Sequence, residues 1–259
     1  MGVLIAMAVY STAENQKDIY LDKCLESLKN TVDLKEHKLV LSINGYTDAT
    51  TEILYFYRDI ISKVITNDKN IGTAEAINKV WKLREPGQHC IKMDDDVVIN
   101  EAGWVEKLLD VLKYDITIGQ AGLKRKDLIE NPAHHDDYFR SELEMLLHYP
   151  GHPWIIVEKV HHCMGTCVLH SSALLDKVGY LYQPTLYGYD DVLMSKRSLV
   201  AGFKNVFLPH INIDHIDPGG GNYTAWKSRE AGEQAMTINK LMTDYETGAK
   251  PIYYNPFIS

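Results

Sequence analysis

The sequence predicts an α/β fold: a mostly parallel central sheet with helices on both faces, three layers in all. Three observations carry that reading. Short β-rich runs alternate with helix-period segments through the first ninety-odd residues, and parallel neighbours need such crossovers. The 259 residues, 45% hydrophobic, can supply an ordinary globular core. Three aspartates, "DDD" at 94–96, follow the apolar stub "CIKM", at the carboxyl end of a strand where such sheets collect ligands.

The elements follow in order. "VLIAMAVY" at 3–10 predicts the first strand and "DIYLDKCLESLKN" at 18–30 the first helix; "KLVLSI" and "TTEILYFYRDII" repeat the unit over 38–61. "SKVIT", "TAEAINKVWKLR" and "CIKM" continue it over 62–93. "EAGWVEKLLDVL" at 101–112 reads as an amphipathic helix with Trp104, Leu108 and Leu112 on its core stripe. Residues 123–160 change character: "NPAHHDDYF" and "HYPGHPW" interrupt a short helical stretch around "SELEMLLH", which suggests an insertion or a mobile rim. Regular structure returns with the strand "TCVLH", the helix "SALLDKVG", the stretch "YGYDDVLMSKRSLVAG" and the strand "KNVFLPHINIDH". "DPGGGN" at 217–222 breaks the chain, and Gly219–Gly221 reads as a hinge or lid, or equally as a plain surface loop, before a helix over 225–242 and a Pro/Tyr-rich tail. No linker separates independent domains, so 1–259 is expected to form one domain.

Composition narrows the function. With 27 basic and 35 acidic residues the net charge is 27 − 35 = −8, which disfavours a broad phosphate-tracking surface. A nucleic-acid acceptor, reached through "KRK" at 124–126, is therefore not favoured. The apolar run at 3–10 is too short to cross a bilayer and has no basic stretch before it, so no transmembrane segment and a cytoplasmic location are expected. The four cysteines make no dense disulfide framework, and "HHCMGTC" at 161–167 reads as packing before zinc. Neither a dinucleotide Gly-x-Gly-x-x-Gly nor a P-loop motif occurs.

Adjacent carboxylates repel and resist desolvation, so a cluster of them needs water or a cation, and a hard divalent ion is the natural partner. Strand alternation would point Asp94 and Asp96 to one side and Asp95 to the other. A second acidic pair, Asp190 and Asp191, precedes a helix pattern; capping and the helix dipole account for it as well as a general base does. His215 ends a strand-like run and competes with His210 as a candidate ligand. Lys227, beyond the glycines, reads as a solvated surface lysine before a phosphate ligand.

In this order the motifs resemble the nucleotide-sugar-dependent glycosyltransferases of the GT-A fold, the family-two-like group and its metal-dependent relatives. "YLDKCLESLKN" is similar to that family's first helix, "INGYTDATTE" at 43–52 to its "DNGSTDGT" turn, and "NIGTAEAIN" at 70–78 to its donor-side segment. "DDD" falls where the Asp-x-Asp motif lies, and "GYDDVLMSKR" is similar to "G-x-E-D-x-x-x-x-x-R". The resemblance implies a Rossmann-like GT-A domain, with 1–122 as the nucleotide-sugar half and 123–259 as the acceptor half. It implies donor contacts from Tyr10, Asn44, Asp48, Asn70, Gly72, Asn78 and Asp94, and a manganese or magnesium ion held by Asp96 and His215. Asp190 would meet the acceptor and Asp191 would act as general base in an inverting transfer. The implied partners are a UDP-sugar and a glycan or other hydroxyl acceptor. Ile43 stands where many relatives carry an acid that touches the donor base, and Asp190 replaces the commoner Glu. Two alternatives compete: a haloacid-dehalogenase-like phosphohydrolase, whose nucleophile motif "MDDDVV" also fits, and a catalytically silent sugar-binding protein. The first places its nucleophile after the first core strand, whereas a complete nucleotide-binding-like half precedes Asp94.

Overall fold

The computed structural model describes residues 2–127, 142–146, 154–219 and 221–258. The predicted rim therefore lies largely outside the described residues, as does Gly220 of the predicted hinge. The first half runs β1 (Leu4–Tyr10), α1 (Asp18–Thr31), β2 (Lys38–Gly45), α2 (Asp48–Phe56), β3 (Lys63–Thr66), α3 (Thr73–Trp81) and β4 (Cys90–Asp94). A two-residue strand β5 (Val97–Val98), helix α4 (Trp104–Tyr114) and β6 (Ile118–Arg125) follow. The second half holds β7 (Glu142–Leu146), β8 (Ile155–Val160), β9 (Cys167–His170), α5 (Ser172–Val178), α6 (Asp190–Val200), β10 (Lys204–His215) and α7 (Gly221–Glu246).

One sheet passes through both halves in the order β3-β2-β1-β4-β9-β6-β10-β8-β7, with β5 pairing β10 at the side. The pairs β3-β2, β2-β1, β1-β4 and β6-β10 are parallel, so the sheet is parallel through its core; β8 and β9 run the other way. Alternation along β1 explains the layers. Val3, Ile5, Met7 and Val9 pack under α1 and α4, while Leu4 and Ala6 pack under α3, α5 and α6. The predicted stripe Trp104, Leu108 and Leu112 is buried in the first of these cores.

Local chemistry sets the element ends. Thr47 caps α2: its hydroxyl accepts from Thr50 N–H at 3.2 Å, and Thr50 Oγ1 accepts from Thr47 N–H at 2.9 Å. The helix closes at Phe56, five residues short of the predicted end. Ser171 caps α5, accepting from Leu174 N–H at 3.2 Å.

One predicted element is corrected. The described part of "SELEMLLH" is not helical: Glu142–Leu146 is strand β7, antiparallel to β8 with Leu143 opposite Glu158 and Met145 opposite Ile156. The ladder offered by β8 outweighs the helix preference of Glu, Leu and Met, which is worth only tenths of a kcal/mol per residue. The helix after the glycines is longer than predicted, and its far end packs on α6 through Ile238, Leu241 and Tyr245 against Leu193.

Candidate active site

The parallel strands β1, β2 and β4 end at Tyr10, Gly45 and Asp94, and a cleft of about 470 Å³ opens beyond them. Tyr10, Asn44, Asn70, Asp94, Asp96, Asp190, Asp191 and His215 all line it, so most of the predicted site converges. Tyr10 reaches it because a glycine faces its ring: a Cβ on Gly45 would lie 2.9 Å from the ring carbons. Asn44 Nδ2 donates to Gly72 C=O at 3.2 Å, and Gly72 N–H donates to Asn70 Oδ1 at 2.9 Å. Gly72, with φ at 85°, is thus the turn that holds both asparagines, and it does not itself line the cleft. Asp48 is an exposed first-turn residue of α2. Asn78 faces the core, where its amide donates to Leu181 C=O at 2.8 Å and accepts from Leu181 N–H at 2.9 Å. Neither of these two lines the cleft.

The strand alternation expected for the three aspartates stops early. Asp95 and Asp96 form a turn between β4 and β5, and all three line the cleft. β5 then explains His215: it pairs antiparallel with the end of β10, Val97 opposite His215, and Ile216 N–H donates to Asp96 C=O at 2.9 Å. This places His215 Nε2 3.4 Å from Asp96 Oδ1. The other Asp96 oxygen faces Lys17 Nζ at 3.4 Å, and that ammonium also meets Asp217 at 2.5 Å.

Burial pushes Asp96 up, but His215 and Lys17 outweigh it and hold its carboxyl below the ordinary range. Burial, then the neighbouring carboxylates, hold Asp94 and Asp95 above it against the opposing lysines. Such a cluster is short of positive charge. Among the described residues no three His, Cys, Asp or Glu side chains form a ready cation cage. Asp96 Oδ1, buried and without a hydrogen bond, nevertheless stands beside an imidazole nitrogen. An oxygen and a nitrogen donor so placed fit manganese or magnesium if ligand oxygens complete the shell.

The opposite wall is the start of α6. Tyr189 is its N-cap in a left-handed conformation (φ 65°), a strained position for a non-glycine residue, and its hydroxyl donates to Ala231 C=O of α7 at 3.0 Å. Asp190 is held by Lys92 Nζ at 2.9 Å. Burial alone would lower the Lys92 pKa, but Asp190, Asp94 and Asp191 outweigh it and keep the ammonium charged. Asp191 accepts from Gly165 N–H at 2.8 Å and from Val192 N–H at 2.8 Å, and faces His162 Nε2 at 3.2 Å. Gly165 makes this approach possible, since a Cβ there would lie 2.4 Å from Lys92 Nζ and 3.0 Å from Asp191 Cβ.

Lys17 and Lys92 were not singled out by sequence reasoning, and His162 was met only within "HHCMGTC", read as packing before zinc. The nearest carboxylate of each lies far away in the chain, Asp217, Asp190 and Asp191 in turn, so spacing gave no signal. Lys227 departs from the surface position expected of it: α7 brings it into the cleft wall with Trp226, its ammonium 4.9 Å from the Tyr187 ring centre. Cys163 and Cys167 are buried free thiols, in keeping with packing. Among the described residues no helix is long and apolar enough to cross a membrane.

The mannosyltransferase PcManGT from Pyrobaculum calidifontis, solved with GDP-Man and Mn2+, superposes with a TM-score of 0.67 at 16% identity, over 93% of this chain and 64% of that one. S. aureus TarS 1-349 gives a TM-score of 0.63 at 16% identity, over 95% of this chain and 65% of that one. GalNAc-T7, solved with UDP, GalNAc and Mn2+, gives 0.60 at 14% identity, over 84% and 44%. The shared architecture is the GT-A fold, and this chain spans less than two thirds of the length of each of these proteins. No curated protein matches the sequence. The profile of glycosyl transferase family 2 matches residues 12–179, from before α1 to the end of α5, and stops short of Asp190, Asp191 and His215. Since that match takes in well over half of the sequence, including the whole Asp94–Asp96 turn, the chain belongs to glycosyl transferase family 2.

Proposed function

We propose that the protein moves a sugar from a nucleotide-sugar donor, a UDP-sugar by the family resemblance, to a hydroxyl of a glycan or other acceptor, with inversion at the anomeric carbon. One observation carries the reading: Asp94, Asp96 and His215 line the same cleft as Asp190 and Asp191. Residues 1–122 would bind the donor and 123–259 the acceptor. The four free cysteines suit a reducing, cytoplasmic setting.

Asp96 and His215 would hold manganese or magnesium, which when bound neutralises charge on the donor diphosphate. Tyr10, Asn44, Asn70 and Asp94 line the cleft and orient the donor. Asp191 takes the proton of the acceptor hydroxyl as that oxygen attacks the anomeric carbon opposite the leaving diphosphate. One C–O bond forms, one breaks, and the proton rests on the carboxylate. Lys92 and Asp190 neutralise each other between the two walls. Trp226 and Lys227 line the cleft and limit water, which would otherwise hydrolyse the donor.

A thermal-shift panel of nucleotide sugars with and without manganese tests the binding half, because ligands of the native state raise its stability by mass action. Product NMR tests the chemistry, and the expected glycoside has the anomeric configuration opposite to the donor's. Folded protein that neither binds nor turns over any nucleotide sugar with manganese present would defeat the reading, as would retained configuration for the inverting step.

A further inference from the structure

We propose that His162 is a positioning residue for Asp191: its imidazole fixes the carboxylate from outside the cleft in the orientation that receives the acceptor's proton. The inference rests on the transferase reading and deepens it. Nothing in the Asp190-Asp191 motif itself calls for a histidine, and His162 enters from the loop after β8, 29 positions earlier in the sequence (191 − 162).

The geometry makes the case. Asp191 is held on both oxygens. Oδ1 accepts from Val192 N–H at 2.8 Å, and Oδ2 accepts from Gly165 N–H at 2.8 Å while facing His162 Nε2 at 3.2 Å. His162 does not line the cleft, whereas Asp191 does. The imidazole therefore acts through the carboxylate, on the side away from the substrate. Its side chain is 14% exposed, dry enough for the pairing to count.

Charge supports the same assignment. Among the described residues, Asp191 and Asp190 favour the His162 imidazolium and Lys92 opposes it; burial lowers its pKa, yet the carboxylates raise it above the ordinary value. Burial likewise pushes Asp191 up, and His162, Lys92 and the Gly165 N–H outweigh it, holding the carboxyl well below the usual range. The sign is fixed on both sides. The pair is intact between the depressed Asp191 pKa and the raised His162 pKa, and removing the imidazolium lets the Asp191 pKa climb. Asp191 gives up some proton affinity in return for a fixed orientation and for being ionised whenever a substrate arrives.

His162→Gln keeps a hydrogen-bond donor near the Nε2 position without the charge, and His162→Ala removes both. With kcat measured against pH, His162→Gln should retain most of the plateau rate while its acid limb moves up by about one pH unit or more. His162→Ala should lose about 100-fold at the plateau, with donor KM unchanged in both variants. In parallel, the His162 ring signals are titrated by NMR in the wild type and in Asp191→Asn, without substrate. A pKa above 6.5 that falls in Asp191→Asn supports the pairing. Equal pKa values in the two proteins overturn it, as do wild-type pH profiles and rates in both His162 variants. A wild type that turns over no sugar defeats the transferase reading and leaves the titration to decide the pairing.

Discussion

Lys92 Nζ lies 2.9 Å from Asp190 Oδ2 and 3.9 Å from Asp94 Oδ1, with both Lys92 and Asp190 buried. The ammonium is the positive charge that lets two acidic walls face each other across one cleft. Lys92→Met removes it and strands Asp190, which should cost about 3–5 kcal/mol in urea unfolding. The double variant Lys92→Met/Asp190→Asn removes the stranded charge and should recover part of that loss. A single variant as stable as the wild type would show that the pair is not formed.

Asp96→Ala should abolish the manganese-dependent part of any thermal shift given by nucleotide diphosphates or nucleotide sugars. The metal-independent part, set by Tyr10, Asn44 and Asn70, should persist. Asp191→Asn is expected to do the reverse, keeping the full shift and lowering kcat by roughly 10²–10⁴-fold. A metal-dependent shift that survives in Asp96→Ala would remove Asp96 from the ion's shell.

The convergence of Asp94, Asp96, Asp190, Asp191 and His215 was legible because each lies at the end of a regular element and within a motif of fixed order. Strand ends on one edge of a parallel sheet must meet. What sequence spacing cannot carry is the return of a partner from elsewhere in the chain. Lys17 reaches Asp96 across 79 positions, and His162 reaches Asp191 from a loop with no periodicity of its own. β5 is another such case: two valines after an acidic turn carry no strand signal, yet their pairing with Asp214 and His215 sets the histidine beside Asp96. β7 was misread because its leucines, methionine and glutamates favour helix in isolation, and only the β8 ladder decides otherwise.

Asn78 separates a donor contact from a structural clasp. Its amide satisfies both backbone groups of Leu181, tying α3 to the chain after α5. Asn78→Ala leaves a buried N–H and C=O unmet and should cost about 1–3 kcal/mol. Because the side chain does not line the cleft, donor KM should stay within about twofold at a temperature where the variant is folded. A large rise in KM with unchanged stability would return Asn78 to the donor contacts.

Acid should unfold this protein partly through His170. The ring is 2% exposed, stands edge-on to Trp81 with ring centres 4.9 Å apart, and accepts from Gln120 Nε2 at 3.0 Å. Burial first, then the Lys92 charge, lowers its pKa from 6.5 to about 3. Below pH 6.5 the unfolded chain takes up a proton on this ring that the native state refuses until near pH 3. Stability is therefore fully present above pH 6.5 and declines as the pH falls, by about 1.4 kcal/mol per unit from this one group. His170→Leu removes the titration while also stranding the Gln120 amide, so it should be less stable than the wild type at pH 7. Its urea unfolding free energy should nevertheless fall less between pH 6 and pH 4 than that of the wild type. Parallel slopes for the two proteins would mean that the native state protonates this ring as readily as the unfolded chain does, against its burial beneath Trp81.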